Sequence, residues 1–169
     1  RIARGAGRLT VPTIEAGPGP GGLTRAFLLE NADHVIAIEK DRRASSVLSS
    51  LCKAAGKRLS LIEADALNIS LWEYGTTPRR IIANLPYNIA TTLLIRWLAH
   101  ATAFESMTLM FQREVAKRIP ARPGAPAYGR LSVLTGYYAD AEILFDGPAE
   151  AFVPAPKIMS SLVQIVPLE

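Results

Sequence analysis

The sequence predicts an α/β domain built on a mostly parallel sheet that is flanked by helices. Short apolar runs rich in β-branched residues alternate with segments of helical periodicity, which is the pattern of repeated strand-helix units. A glycine-rich turn at residues 17–22, between the first such run and the first helical segment, is typical of folds that bind a nucleotide. The chain has 169 residues, of which 49% are apolar, so we expect residues 1–169 to form one domain.

The predicted elements follow one another in a regular order. The β-branched and apolar runs predict strands at residues 11–16, 34–39, 59–63, 80–83 and 107–112. Helical periodicity, with Asp41 as the N-cap of the second helix, predicts helices at residues 23–30, 42–56, 89–100, 113–119 and 130–138. Residues 142–145 and 161–166 are expected to close the sheet as a pair, the second by its clear alternation.

Composition and charge limit the classes of protein. Cys52 is the only cysteine, which rules out an intrachain disulfide, and we expect no metal site. No apolar run reaches the roughly 18 to 20 residues of a membrane span, so we predict a soluble protein of the cytoplasm that does not bind a membrane. The net charge of +4 is compatible with a polyanionic partner, since Lys and Arg release phosphate counterions on binding.

The glycine-rich turn is the first candidate site. Glycines allow a sharp turn and let a ligand lie against main-chain amides at a helix N-terminus. Gly17, Gly19 and Gly22 also satisfy the spacing of dinucleotide-binding turns, so the turn alone leaves two cofactor classes open. The residues of this segment that we assign to cofactor binding are Glu15, Gly17, Gly19 and Gly21.

Two acidic residues narrow the choice of cofactor. Glu39 ends the second predicted strand, where it suits a ribose diol in either class. Asp65 follows the third strand, where methyltransferases of this fold place a carboxylate that accepts from the adenine amino group of S-adenosylmethionine. The alternative for Asp65 is a helix N-cap. We predict S-adenosyl-L-methionine as the cofactor, with Lys40, Ala66 and Asn84 as further contacts.

The segment Asn84-Leu85-Pro86-Tyr87 follows the fourth predicted strand and points to an amine substrate. Adenine N6 is a poor nucleophile because its lone pair is delocalised into the ring, and acceptors on both N–H groups favour a pyramidal nitrogen. The Asn84 side chain and the Leu85 carbonyl can supply these acceptors, and the Tyr87 ring can stack on the base. Although a structural turn with a buried tyrosine is the alternative, we predict direct in-line methyl transfer to this amine, without a metal ion.

Seven motifs along the chain carry a resemblance, at residues 17–24, 35–39, 65–67, 84–89, 111–116, 128–133 and 152–158. Together they resemble one family, the KsgA-type dimethyladenosine transferases of small-subunit ribosomal RNA. The resemblance implies a Rossmann-like methyltransferase fold with a seven-stranded sheet. It also implies dimethylation of N6 in two adjacent adenosines near the 3′ end of 16S RNA, in an immature 30S particle, during ribosome biogenesis. Phe152 is assigned by the same resemblance to the target pocket, opposite Tyr87.

The sequence also departs from that family. We expect residues 1–169 to lack the family's leader segment, which closes over the cofactor, and its helical C-terminal domain, and Met159 stands where an Asp is frequent. We therefore expect residues 1–169 to be the catalytic domain, acting as a monomer. Three alternatives stay open: a sister enzyme that methylates large-subunit RNA in antibiotic resistance or a mitochondrial relative, an assembly factor that acts by binding, and a dehydrogenase.

Overall fold

The computed structural model describes residues 11–147 and 159–169, together with Ile2. Its strands are β1 (Thr13–Ala16), β2 (Val35–Glu39), β3 (Leu59–Glu63), β4 (Arg80–Asn84), β5 (Ser106–Gln112), β6 (Ala139–Gly147) and β7 (Ser160–Pro167). Its α-helices are α1 (Gly22–Leu29), α2 (Arg42–Ala55), α3 (Tyr87–Leu98), α4 (Arg113–Arg118) and α5 (Arg130–Tyr138).

The described strands form one seven-stranded sheet in the order β3-β2-β1-β4-β5-β7-β6. Strands β1 to β5 run parallel, whereas β7 is antiparallel to both β5 and β6. The chain builds outwards from β1 in both directions, and such a reversal of strand order leaves a crevice at the carboxyl ends of the central strands. The predicted Rossmann-like fold with a mostly parallel seven-stranded sheet is therefore confirmed.

The parallel strands are covered on both faces. Every residue of β1 and β2 is buried, which explains why these segments are continuous apolar runs without alternation. On one face the core includes Trp97 of α3 and Phe111 of β5, and on the other it includes Phe27 of α1. Packing on two sides holds the strand ends in place, and the candidate site lies at those ends.

Several boundaries differ from the sequence prediction. The helix expected at residues 89–100 runs over Tyr87–Leu98 instead, because Pro86 takes the N-cap position and its carbonyl accepts from the N–H of Ala90 at 3.2 Å. Strand β4 includes Asn84, which was expected to follow it. Strand β6 extends beyond the predicted residues 142–145, since β7 pairs with it from Ala139 to Gly147.

No helix among the described residues is long and apolar enough to cross a lipid bilayer.

Candidate functional site

The glycine-rich turn lies over the carboxyl ends of β1 and β2. The N–H of Gly17 donates to the carbonyl of Ile38 at 2.9 Å, which ties the start of the turn to β2. Gly17, Gly19 and Gly21 have positive φ angles of 69°, 57° and 91°, a conformation that L side chains rarely adopt. A Cβ atom on Gly21 would also lie 2.6 Å from Cδ2 of Leu48. This segment therefore needs glycine for backbone conformation and for close packing against α2.

The Glu39 carboxylate is held between this turn and the start of α2. Its Oε2 accepts the N–H of Gly19 at 2.8 Å, and its Oε1 accepts the N–H of Asp41 at 2.9 Å. The residue is only 7% exposed. Because a carboxylate offers about four lone-pair sites, these two bonds orient the group and leave capacity for ligand hydroxyls.

Asp65 lies just beyond β3, at the same edge of the sheet. Its Oδ1 accepts the N–H of Leu67 at 3.0 Å, and its Oδ2 lies 3.2 Å from Nζ of Lys40. The backbone hydrogen bond from Leu67, assisted by Lys40, holds the pKa of this carboxyl below its usual value despite some desolvation. Asp65 therefore caps a turn, where the alternative interpretation expected a helix N-cap, and it stays ionised.

A cavity of about 600 Å³ opens between these groups and the start of α3. The residues assigned from the sequence that line it are Gly17, Glu39, Lys40, Asp65, Ala66, Leu85 and Pro86. Six further residues line the same cavity but are not predicted from the sequence: Ile38, Asp41, Arg42, Ala64, Ile89 and Leu93. Ile89 and Leu93 are spaced one helical turn apart, a signal for one helix face, but the sequence does not show which face turns towards the sheet edge.

Glu15 is not among the described residues that line the cavity. It lies within β1, is 1% exposed, and accepts a hydrogen bond from the hydroxyl of Thr24 in α1. Burial raises the pKa of the Glu15 carboxyl to about 8, with Thr24 opposing the rise and the Glu39 charge adding to it. The neutral carboxyl joins β1 to α1 beneath the turn, and a direct contact with a cofactor stays a prediction.

The segment from Asn84 to Tyr87 joins β4 to α3 beside the cavity. The Asn84 side chain is exposed, and none of the described residues forms a hydrogen bond to it. Leu85 is buried, and Pro86 is the N-cap of α3. The Tyr87 hydroxyl forms a hydrogen bond with Oγ of Ser160 at the start of β7. Phe152, assigned by resemblance to the same pocket, lies outside the described residues.

Within the described part of the chain, no group of three or more His, Cys, Asp or Glu side chains is placed to hold a metal ion.

The sheet with its antiparallel β7, together with a glycine turn after β1, an acidic residue at the end of β2 and another after β3, defines the class of Rossmann-like methyltransferases. Solved structures of that class superimpose closely. A dimethyladenosine transferase from Plasmodium falciparum matches with a TM-score of 0.85 and 30% identity, over 99% of this chain and 60% of that one. The 23S rRNA methyltransferase ErmE matches with a TM-score of 0.82 and 29% identity, over 99% of this chain and 67% of that one.

Sequence comparison gives the family. The model of the family described as ribosomal RNA adenine dimethylase matches residues 9–169. Ribosomal RNA small subunit methyltransferase A of Rhodospirillum rubrum is 54% identical over 168 residues, and that of Bartonella quintana 56% over 174. The chain belongs to the ribosomal RNA adenine dimethylase family, which confirms the resemblance found in the sequence. These alignments cover 99% of the chain but 58% and 63% of the two relatives, so the chain spans about three-fifths of their length.

Proposed function

We propose that this chain is the catalytic domain of an S-adenosylmethionine-dependent enzyme that dimethylates N6 of adenine in small-subunit ribosomal RNA. The observation that carries the proposal is the composition of the cavity. At one end it presents Glu39 and Asp65, two carboxylates suited to a nucleoside. At the other end it is lined by Leu85 and Pro86, within the segment suited to an aromatic amine. The relatives named small subunit methyltransferase A support the choice of RNA.

The cavity residues fit an adenosine-containing cofactor. Glu39 has both oxygens oriented by main-chain N–H groups, so it can accept from two ribose hydroxyls without further ordering. Asp65 stays ionised and can accept from an adenine amino group, while Ile38 and Leu85 offer apolar surface to the base. When bound, S-adenosylmethionine supplies an electrophilic methyl group carried on a positively charged sulfur.

The residues after β4 are suited to hold the substrate amine. The Oδ1 of Asn84 and the main-chain carbonyl of Leu85 can accept from the two N–H groups of adenine N6. Because the nitrogen becomes positively charged as its bond to carbon forms, these oxygens also stabilise the transition state. The face of the Tyr87 ring can stack on the base, as aromatic side chains do with unpaired RNA bases. We propose that Phe152 stacks on the opposite face.

The proposal is tested with isotope-labelled cofactor and ribosomal particles. Purified protein is incubated with tritiated S-adenosylmethionine and immature small-subunit particles, and the RNA is digested to nucleosides for mass analysis. We expect label in N6,N6-dimethyladenosine of the small-subunit RNA, with mature large subunits as the control substrate. Label confined to large-subunit RNA would favour the resistance-type alternative. Particle binding without methyl transfer would favour an assembly factor, and either result would overturn the proposal.

A further inference from the structure

Arg96 of α3 reaches the loop that carries Asp65. Its Nη1 donates to the carbonyl oxygen of Leu67 and lies 3.4 Å from the carbonyl oxygen of Ala66. Its guanidinium carbon lies 5.5 Å from the centroid of the Trp72 ring, within the range of a cation–π contact. Trp72 in turn stacks on His100, with ring centroids 3.6 Å apart and ring planes inclined by 9°.

The two carbonyl groups near Arg96 belong to the loop that follows Asp65. Ala66 lines the cavity itself, and Leu67 donates its N–H to Asp65. The loop beyond β3 is otherwise held near Asp65 by the main-chain bond from Asn68 to the Asp65 carbonyl, at 2.9 Å. Because an arginine forms charge-assisted hydrogen bonds with a planar donor group, its contact restricts where these carbonyls can lie. Arg96 and Asp65 thus contact the same loop residue, Leu67, Arg96 at its carbonyl and Asp65 at its N–H.

We propose that Arg96 is a positioning residue that sets the place of Asp65 and thereby determines how strictly the site selects an adenine amino group. The inference rests on the proposed function, since Asp65 is taken to accept from the amino group of the cofactor. If Arg96 is removed, the loop gains freedom and the Asp65 acceptor is less well placed. Ligands that carry the amino group should then lose more affinity than ligands that lack it.

Arg58 provides a matched control. Its Nη2 donates to the carbonyl oxygens of Leu28 at 2.8 Å and Ala32 at 3.0 Å, so it too joins a guanidinium to two main-chain carbonyls. Arg58 is not among the described residues that line the cavity. The variant Arg58→Met therefore removes the same charge and the same kind of contact, away from the site.

The experiment compares two ligands by calorimetry, S-adenosylhomocysteine and its deaminated analogue S-inosylhomocysteine. We expect the unchanged protein to bind the adenine compound more tightly than the analogue. Arg96→Met should lower the affinity for the adenine compound by about tenfold, which is the order of one charge-assisted hydrogen bond. The affinity for the analogue should fall by less than about threefold, so the ratio of the two affinities decreases. Arg96→Lys should retain part of the preference, and Arg58→Met should leave both affinities unchanged.

A readout of turnover separates positioning from general stability. When the concentration of S-adenosylmethionine is varied at a saturating concentration of small-subunit particles, Arg96→Met should raise KM for the cofactor. The kcat should stay within about twofold of the unchanged protein, because only binding is affected. The inference would be overturned if Arg96→Met kept the same ratio of affinities for the two ligands, whether both affinities were unchanged or both fell equally. If Arg96→Met does not fold, an unaltered preference in Arg96→Lys overturns it in the same way. If the unchanged protein binds neither ligand, the proposed function fails together with the inference.

Discussion

The two sides of the sheet edge that form the cavity are built differently. Next to β2 and β3, the acidic side chains are already bound by the chain itself, Glu39 through two main-chain N–H groups and Asp65 through Leu67 and Lys40. At the end of β4, the Asn84 side chain is exposed and none of the described residues hydrogen bonds to it. The side proposed for the cofactor is thus organised before binding, whereas the side proposed for the substrate presents an acceptor that none of the described residues engages.

This difference indicates which property each substitution should change. A side chain that is ordered by the main chain contributes to affinity at little entropic cost, and its removal also disturbs the groups that hold it. An exposed side chain without protein partners contributes little to folding, so its removal can change the reaction while the fold is retained. Substitutions on the two sides should therefore separate ligand affinity from turnover.

The largest effect is expected for Asn84→Ala. Removal of one acceptor from the substrate amine should lower kcat by roughly a hundredfold to a thousandfold, the usual loss for one preorganised transition-state contact. Cofactor affinity should change little, because Asn84, although predicted as a cofactor contact, is not among the described residues that line the cavity. The Tm should change little because the side chain is exposed and has no partner among the described residues. Steady-state turnover of small-subunit particles measures the rate, and calorimetry and thermal unfolding measure the other two.

Asn88→Ala is the control for this prediction, since Asn88 is an exposed asparagine in the first turn of α3, four residues beyond Asn84. If Asn84→Ala is unfolded at the assay temperature, the side chain serves only to stabilise the turn before Pro86. A folded variant with normal methyl transfer would equally remove Asn84 from the mechanism.

An intermediate effect is expected for Glu39→Ala. Loss of two hydrogen bonds from a carboxylate to ribose hydroxyls should weaken S-adenosylmethionine binding by about 2 to 3 kcal/mol. The variant also leaves the N–H groups of Gly19 and Asp41 without this acceptor, so a modest fall in Tm should accompany it. The exposed Glu63, which pairs with Glu39 across β2 and β3, supplies the control Glu63→Ala. Unchanged affinity in a folded Glu39→Ala protein would contradict the comparison.

The smallest effect on ligand binding is expected for Glu15→Gln. Glu39 lines the cavity, whereas Glu15 is buried in β1 and is not among the described lining residues. The folded-state pKa of Glu15 is raised from 4.5 to about 8, so between these values the folded protein holds a proton that the unfolded chain has lost. Stability is therefore lost as the pH rises, by up to about 1.4 kcal/mol per pH unit. The neutral glutamine should abolish this dependence and leave cofactor affinity at pH 6 nearly unchanged.

Chemical denaturation of both proteins at pH 5, 6.5 and 8 measures this difference. Glutamine keeps an amide that can bond to Thr24, so the two proteins should differ least at pH 5 and the variant should become relatively more stable at pH 8. Parallel stability curves would show that the Glu15 carboxyl is ionised in the folded protein.

Much of the edge that carries the site could be predicted from local patterns. Glu39 and Asp65 were expected at the ends of the second and third strands, and both line the cavity. Such positions can be predicted from the sequence because strand ends and glycine turns are set by a few neighbouring residues. The start of α3 at Tyr87 was missed by two residues, since a proline at the N-cap supplies a start that the apolar periodicity does not show.

The sequence by itself determined the alternation of strands and helices, the turn at Gly17 and the order of the acidic residues. Only the tertiary structure decided that β7 lies between β5 and β6, and that Arg96 holds the loop of Asp65. It also decided that the buried Glu15 carboxyl accepts a hydrogen bond from Thr24 of α1. Each of these features depends on which segments, distant in sequence, become neighbours in the fold. Burial between such segments also removes water from the Glu15 carboxyl and raises its pKa, which a local sequence pattern cannot predict.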